Sequence, residues 1–402
     1  LTLLSFDEAR ARLLSSAARL PAERVALAEA WGRVLAADLV AESPLPPFDY
    51  SAMDGYAVAT ADLEGDPPWT LPVAGESPAG GLPSPLPSRA ATRIFTGGRL
   101  PERADAVVMQ ESVTRSGDRV GLQARPSPGQ HIRRAGEDLT AGARAIEAGT
   151  RLSAGAIALA AMLDRPALTV ARRPRVTILC TGDELRAPGS GPRPGSIPES
   201  NSAPLAALAS QGGAVVEVAP IVPDDPKVIE RAIEAALVGS DLLITVGGVS
   251  VGDRDFVRPA LERAGVTLDF WKVAIKPGKP LVVGSRETTH VLGLPGNPAS
   301  ALVTMATFGV PLLRVLQGDA RPLPMTFAVR LDRGRTRSPD RMEFVRATLH
   351  VAEGILVARA HDNQASGAAT SLATSDGLAR VAPGDIPIER GAFVDFLRWN
   401  DV

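Results

Sequence analysis

Between Asp241 and Pro298 the chain carries three stretches whose residue types suit the binding of anions. The first, Gly247-Gly248-Val249-Ser250-Val251-Gly252, lets the backbone turn tightly and approach a ligand closely, with Asp253 and Asp255 just beyond it. The second, Trp271 to Pro280, holds Lys272, Lys276 and Lys279. The third is Gly293-Leu294-Pro295-Gly296-Asn297-Pro298, directly before an apolar helical pattern. The lysines are informative because the chain has only four, Lys227 being the other, against 39 arginines. A sequence that writes Arg wherever a surface cation will do has kept three of its four Lys within eight residues. A chance cluster on a solvated loop is the competing reading. An ammonium, however, is a compact, strongly hydrated point charge, suited to the oxygens of a phosphate or small oxyanion, where a guanidinium is a planar fork.

Carboxylates complete the set: Asp54, Asp138, Glu184, Asp224 and Asp255, with Arg133 as a further cation. At loop ends such groups suit Mg²⁺, a hard ion that keeps waters and bridges protein to phosphate oxygens. A helix N-terminus such as the one after Asn297 contributes only about 0.3–1 kcal/mol toward an anion, so a doubly charged ligand needs the lysines as well.

The elements that must position these groups are α/β in kind. Apolar runs at 176–180, 215–222, 242–246 and 290–292 read as strands, and those after Arg175 alternate with helical stretches of 12 to 15 residues. That grammar means βαβ units and a parallel sheet, with both faces covered and no alternation in the central strands. Thr181-Gly182-Asp183-Glu184, Asp224-Asp225, the Gly247 turn and the Gly293–Pro298 loop all fall at carboxyl ends of strands, where open α/β sheets bind ligands. Upstream, Ser5-Phe6-Asp7-Glu8 is a capping box starting a helix to about Leu20. A second helix is expected over 26–38, with Leu27, Trp31, Val34 and Leu35 on one face. Short strands and Gly/Pro turns follow to about Gln130, and an apolar helix over 153–163 is expected to be buried, against the first helices or another subunit. After Gly318 the pattern is all short strands, with a polar turn at 364–368 and no periodic helix.

At 402 residues the chain suggests roughly two to four domains. Net charge is −2, which gives no electrostatic argument for nucleic acid or membrane. One cysteine, Cys180, excludes an intramolecular disulfide and a cysteine-built metal site. No apolar run approaches the roughly 20 residues of a membrane span, and no signal segment opens the chain, so a cytoplasmic protein is the default. There is no dinucleotide fingerprint, P-loop or zinc-protease motif, and four scattered histidines do not suggest a His-built site.

Taken together, Ser51 through Ala57, Arg133 through Asp138, Thr181 through Leu185, Gly247 to Asp255, Lys272 to Pro280 and Gly293 to Pro298 resemble the molybdopterin molybdenumtransferase family, the MoeA type, related to the E-domain of gephyrin. The resemblance covers nearly the whole chain, including Ser371-Leu372 and Asp376-Gly377-Leu378. It implies an elongated homodimer of four domains: 1–45 with 139–173 as a helical dimerisation domain, 46–138 as a small β-domain, 174–318 as a doubly wound α/β domain for pterin and nucleotide, and 319–402 as a C-terminal β-barrel-like domain. The implied reaction takes adenylylated molybdopterin and molybdate, hydrolyses the phosphoanhydride, releases AMP and inserts molybdenum, with Mg²⁺. By matching positions, catalysis falls to Asp54, Asp138, Glu184, Asp255, Lys272 and Lys276. Ligand binding falls to Thr96, Arg133, Gly247, Gly248, Ser250, Pro295 and Asn297, and the metal to Glu184, Asp224 and Asp255. Asp54 and Asp138 are expected to reach in from the β-domain of the other subunit. Small-molecule substrates, the pterin adenylyltransferase and acceptors of the finished cofactor are the implied partners.

Other readings stay open beside this one. Asp54 could make an Asx-turn before Gly55, and Asp224 or Asp225 could simply cap a helix. Pro295 could shape its loop without chemistry, and Trp271 reads as core. Arg103 stands where the family usually has Gly, and Pro198-Glu199 where an aromatic and an acid are common. A pterin adenylyltransferase and a non-catalytic, gephyrin-like dimeric scaffold are the alternative functions.

Overall fold

The apolar run Leu242–Val246 is the centre of a six-stranded sheet in the larger of two compact units, Leu1–Ala37, Ala148–Ser153 and Ala167–Val402. The computed structural model describes residues 3–248 and 256–402. The sheet's strands are β1 (Arg175–Cys180), β2 (Val215–Val218), β3 (Leu242–Val246), β4 (Thr267–Trp271), β5 (Val282–Arg286) and β6 (Thr289–Leu294). Their spatial order is β2-β1-β3-β6-β5-β4. The first four run parallel, whereas β5 is antiparallel to both β6 and β4, an edge hairpin that the expectation of a parallel sheet did not contain. Every residue of β3 and β6 is buried, which is why no alternation shows in their sequences.

Helices cover both faces. On one lie α1 (Phe6–Ser15), α2 (Ser202–Gln211) and α5 (Pro298–Leu316), where Phe6, Leu13, Leu205 and Phe308 join Val176, Ile178, Ile244 and Leu292 in one apolar cluster. On the other, α3 (Pro226–Leu237) and α4 (Val257–Arg263) set Ile229, Ile233 and Leu261 against Leu179, Leu243 and Val291. This is a doubly wound arrangement. Ser5 starts α1 as read, its hydroxyl accepting from the Glu8 N–H at 3.3 Å. The helix stops near Ser15 instead of Leu20, where the Ser15 and Ser16 hydroxyls bond the carbonyls of Arg12 and Leu13. α5 widens into a π turn at Met305–Gly309, just ahead of Pro311, whose ring carries no N–H and crowds the preceding turn. Contrary to the expectation that no apolar run comes near a membrane span, α5 is 19 residues long and apolar enough to cross one, but 83% of its apolar window is buried inside this unit as a core helix.

The second expected helix does not form. After the strand Ala22–Ala26, paired with Ala167–Ala171, the segment makes a single turn Leu27–Glu29 and then antiparallel bridges from Val34 to Arg151 and from Leu35 to Val170. Gly32 takes φ 71°, incompatible with a continuing helix, and Trp31 is 71% exposed instead of facing a core.

The chain's last third closes into a barrel: β7 (Phe327–Leu331), β8 (Met342–Ala352), β9 (Ile355–Ala360), β10 (Gly377–Val381) and β11 (Phe393–Arg398). Neighbours run β8-β9-β7-β11-β10, and β10 pairs back onto β8. Val329, Val345, Ala379 and Phe396 fill it. Ile275–Lys276 pairs in parallel with β8, setting Lys276 opposite Glu343. A five-residue helix, Ala369–Ala373, is present where none was expected; it is too short to leave a period in the sequence.

The smaller unit, Asp38–Glu147 with Ala154–Pro166, is built on a sheet ordered Ala106–Met109, Gly55–Val58, Ala91–Ile94, Trp69–Ser77, Arg119–Leu122, Val113–Ser116. Tyr56, Val58, Leu71, Val120 and Leu122 form its core. Its helix Ala154–Met162 is not covered within this chain, which leaves the other expectation, burial against another subunit: Ala160 is buried, but Met162 is 64% exposed. Arg103 does enter the left-handed region, at φ 75°, anchored by bonds to the Leu86 carbonyl and the Ser88 hydroxyl and an ion pair with Asp62.

Candidate active site

At the carboxyl ends of β1, β3 and β6 the chain leaves the sheet at Thr181, Gly247 and Pro295, and these three exits share one rim. A cavity of about 720 Å³ opens there, lined by Thr181, Glu184, Asn201, Gly247, Gly248, Gly296, Asn297 and, from the barrel, Gly367. The size suits a nucleotide or pterin. A more apolar hollow of about 410 Å³ lies between β2 and α3, but its only charged lining residue is Glu217. Among the described residues Glu184, the glycines and the amides of Asn201 and Asn297 converge on the rim.

Gly247 and Gly248 take φ 90° and 61°, and a Cβ on Gly248 would lie 2.4 Å from the Val257 side chain. Only glycine allows the loop to turn so close to α4. Glu184 is exposed at the rim, and its carboxylate makes no hydrogen bond or ion pair among the described residues. The capping question at α3 is answered by Asp225, whose Oδ1 accepts from the N–H groups of Lys227 (2.8 Å) and Val228 (3.0 Å). Asp224 is not the cap. Its amide donates to Asp183 Oδ1 at 3.1 Å, and the Asp183 amide donates to Asp224 Oδ2 at 3.4 Å, which ties two rim loops together.

The lysines do not line the cavity. Lys272 holds φ 124° and places Nζ 4.2 Å from the centre of the Trp271 ring, which Arg258 also approaches at 4.8 Å. Trp271 itself packs at the edge of the α3/α4 cluster. Lys276 Nζ lies 3.5 Å from the buried carboxylate of Glu343. Burial pushes Glu343 up, but hydrogen bonds from Ser338 and the charges of Lys276 and Arg335 outweigh it and hold the group below the ordinary glutamate value. Pro295 is buried beneath its loop, while Asn297 faces the cavity. Ser250 and Asp255 lie outside the described residues.

Four expected site residues belong to the smaller unit. Asp54 Oδ1 accepts from the amide (2.7 Å) and hydroxyl (2.9 Å) of Thr96. These bonds, the amide's first, hold Asp54 below the usual aspartate range. Arg133 pairs with Glu137 at 2.9 Å, and the Asp138 amide donates to the Leu45 carbonyl at 3.0 Å.

Three groups were not named as site residues from the sequence, although Thr181 opens a stretch that was singled out there. Arg346, on β8, is wholly buried without a carboxylate partner. Its Nε donates to Ser371 Oγ (2.8 Å) and its Nη2 to the Ala365 carbonyl (2.9 Å), while Nη1 is buried with no partner. Arg346 thereby holds the loop that brings Gly367 and Ala369 to the cavity. The signal was there: Glu343 and Arg346 interrupt an otherwise apolar strand, Met342–Ala347. Asn201 and Thr181 are the other two, each with a buried oxygen that has no partner among the described residues.

Among the described residues no three His, Cys, Asp or Glu side chains converge as a metal cage. Magnesium needs none, since it binds through one or two carboxylates and substrate phosphates, and an uncommitted Glu184 fits that mode.

The comparisons agree with the architecture piece by piece. Residues 4–163 match the family described as the MoeA N-terminal region (domain I and II), 177–315 the probable molybdopterin binding domain, and 328–399 the MoeA C-terminal region (domain IV). The chain is 38% identical over 358 residues to the molybdopterin molybdenumtransferase of Haemophilus influenzae, covering 87% of each. It is 37% identical over 385 residues to molybdopterin molybdenumtransferase 2 of Mycobacterium tuberculosis, covering 94% of each. The crystal structure of the molybdopterin biosynthesis MoeA protein from Pyrococcus horikoshii OT3 superposes with a TM-score of 0.86 at 29% identity, covering 99% of this chain and 100% of that one. With every region matched in order and close relatives along nearly its whole length, the chain belongs to the MoeA family of molybdopterin molybdenumtransferases.

Proposed function

We propose that this chain inserts molybdenum from molybdate into adenylylated molybdopterin, with water cleaving the phosphoanhydride and AMP leaving. The observation that carries the reading is the rim cavity itself: a nucleotide-sized hollow at the ends of parallel strands, where among the described residues the Glu184 carboxylate is unpaired and buried polar atoms are unsatisfied. The reaction needs one place for the nucleotide's phosphates and another for an oxyanion. Gly247, Gly248 and Asn297 belong to the first. Lys272, Lys276 and Arg346 supply fixed positive charge for the second; of these, Arg346 is oriented by Ser371 and Lys276 by Glu343. Glu184 and Asp224, with Asp255, would hold Mg²⁺, which when bound polarises phosphate oxygens.

Asp54, Thr96, Arg133 and Asp138 are assigned to the same reaction, with Asp54 kept ionised by Thr96 as an acceptor for a proton or a hydrogen bond. The uncovered apolar helix Ala154–Met162 supports a homodimer, since a monomer seldom leaves such a surface open.

The test is release of AMP from adenylylated molybdopterin as molybdate is added. Glu184→Gln and Lys276→Ala are expected to lower the rate at least about a hundredfold, as removal of a charge-stabilising group does. Unchanged turnover in both variants, or pyrophosphate release from ATP and molybdopterin by the native chain, would remove this reading, the latter in favour of an adenylyltransferase.

A further inference from the structure

Asn201 occupies the N-cap position of α2, where an asparagine ordinarily folds its side chain back onto the first N–H groups of its helix. Here Glu199 does that work. Its buried carboxylate accepts from the N–H groups of Asn201 (2.6 Å) and Ser202 (3.0 Å) and from the Ser202 hydroxyl. Burial pushes Glu199 up, but the bonds from Ser202 and Asn201 prevail and keep it below the ordinary glutamate value, hence charged. The Asn201 side chain is thereby released for something else.

Its amide nitrogen donates to the Gly296 carbonyl at 2.8 Å, and because a carbonyl can only accept, that bond settles which end of the amide is which. The remaining Oδ1 is a pure acceptor, buried and without a partner among the described residues, on a side chain 7% exposed that lines the rim cavity. Thr181 Oγ1 is in the same situation, 4% exposed and unpartnered in the same cavity, next to Gly247. Leu185 and Val246 give the cavity apolar wall. A flat ring with an N–H donor on its edge satisfies all of these at once.

Resting on the substrate reading above, we infer that Asn201 Oδ1, seconded by Thr181 Oγ1, receives the exocyclic amino group of the substrate's heterocycle and selects amino- over oxo-substituted rings. Adenine and pterin both carry such a group. A ring with an oxo group in its place sets a second acceptor against Oδ1, which a site built to accept cannot tolerate.

Titration calorimetry on the full chain tests this with two pairs of compounds: AMP against IMP, and pterin against lumazine, its dioxo counterpart. One pair is expected to be discriminated by about tenfold or more in favour of the amino form, the worth of one buried hydrogen bond, and that pair identifies the ring. Asn201→Ala is expected to bring the ratio near one. Thr181→Val, which preserves shape and leaves the tie to Gly296 intact, should narrow it. If Asn201 only braced the loop, its loss would weaken both members of a pair alike, and a ratio that survives Asn201→Ala overturns the inference. Native protein binding both members of each pair equally overturns it as well, and assigns the two oxygens to water. Failure of the native protein to bind any of the four compounds removes the substrate reading, and this inference with it.

Discussion

Lys272 holds a backbone conformation, φ 124°, that glycine adopts freely and lysine adopts at a cost of about 1–3 kcal/mol. Such strain survives where the side chain is needed. At this position Gly and Ala variants separate the two contributions, because both lose the ammonium and its place over Trp271 while only Ala keeps the strain. Lys272→Gly is therefore expected to be more stable than Lys272→Ala by about 1–3 kcal/mol in urea denaturation, with AMP release lost in both. The reverse order of stabilities would mean that the backbone there is relaxed. The lysine cluster was legible as a cluster, since Lys is so rare in this chain. Its geometry was not, because the partners, Trp271 and Glu343, differ for two residues four apart. Arg346 does leave a mark, a charge that with Glu343 interrupts an apolar strand, but which loop closes over it cannot be read from that strand alone.

At the scale of elements, adjacent acids at the entry to α3 divide the labour. Asp225 caps the helix through two amides, whereas Asp224 faces the neighbouring rim loop through Asp183. Asp225→Ala should cost about 1 kcal/mol of stability, the usual worth of an N-cap, with AMP release largely kept. Asp224→Ala should do the opposite, and a denaturation curve measured beside an activity assay distinguishes them. If both variants lost stability and kept activity, Asp224 would leave the site. The strand ends that carry these loops could be read beforehand, because unbroken apolar runs bounded by glycine mean strands buried on both faces. The segment 26–38 misled for an equally physical reason. Leu27, Trp31, Val34 and Leu35 have helical spacing, but Gly32 turns left-handed in their midst and Trp31 points outward.

At the scale of the whole molecule, what the sequence concealed was the joining of distant parts. The barrel's closure depends on β10 returning to β8, and the α/β core depends on a helix from the extreme N-terminal end of the described chain. Phe6 is where these meet. Its ring lies edge-on to Phe308 of α5 at 5.3 Å and to Phe344 of β8 at 5.1 Å between centroids, with Arg10 and Arg380 over it at 4.6 and 5.5 Å. The side chain is 2% exposed. Deleting it removes buried apolar surface and two aromatic contacts from three elements together, so Phe6→Ala is expected to cost about 3–5 kcal/mol. Because the lost contacts belong to the α/β core and the barrel alike, both should melt earlier and together in calorimetry, as one shifted transition of the larger unit. Phe6→Leu, which refills most of the volume, should recover much of the loss. Were only one of two resolved transitions to move, or neither, the α/β core and the barrel would be stabilised independently, and α1 would be a cover on one of them.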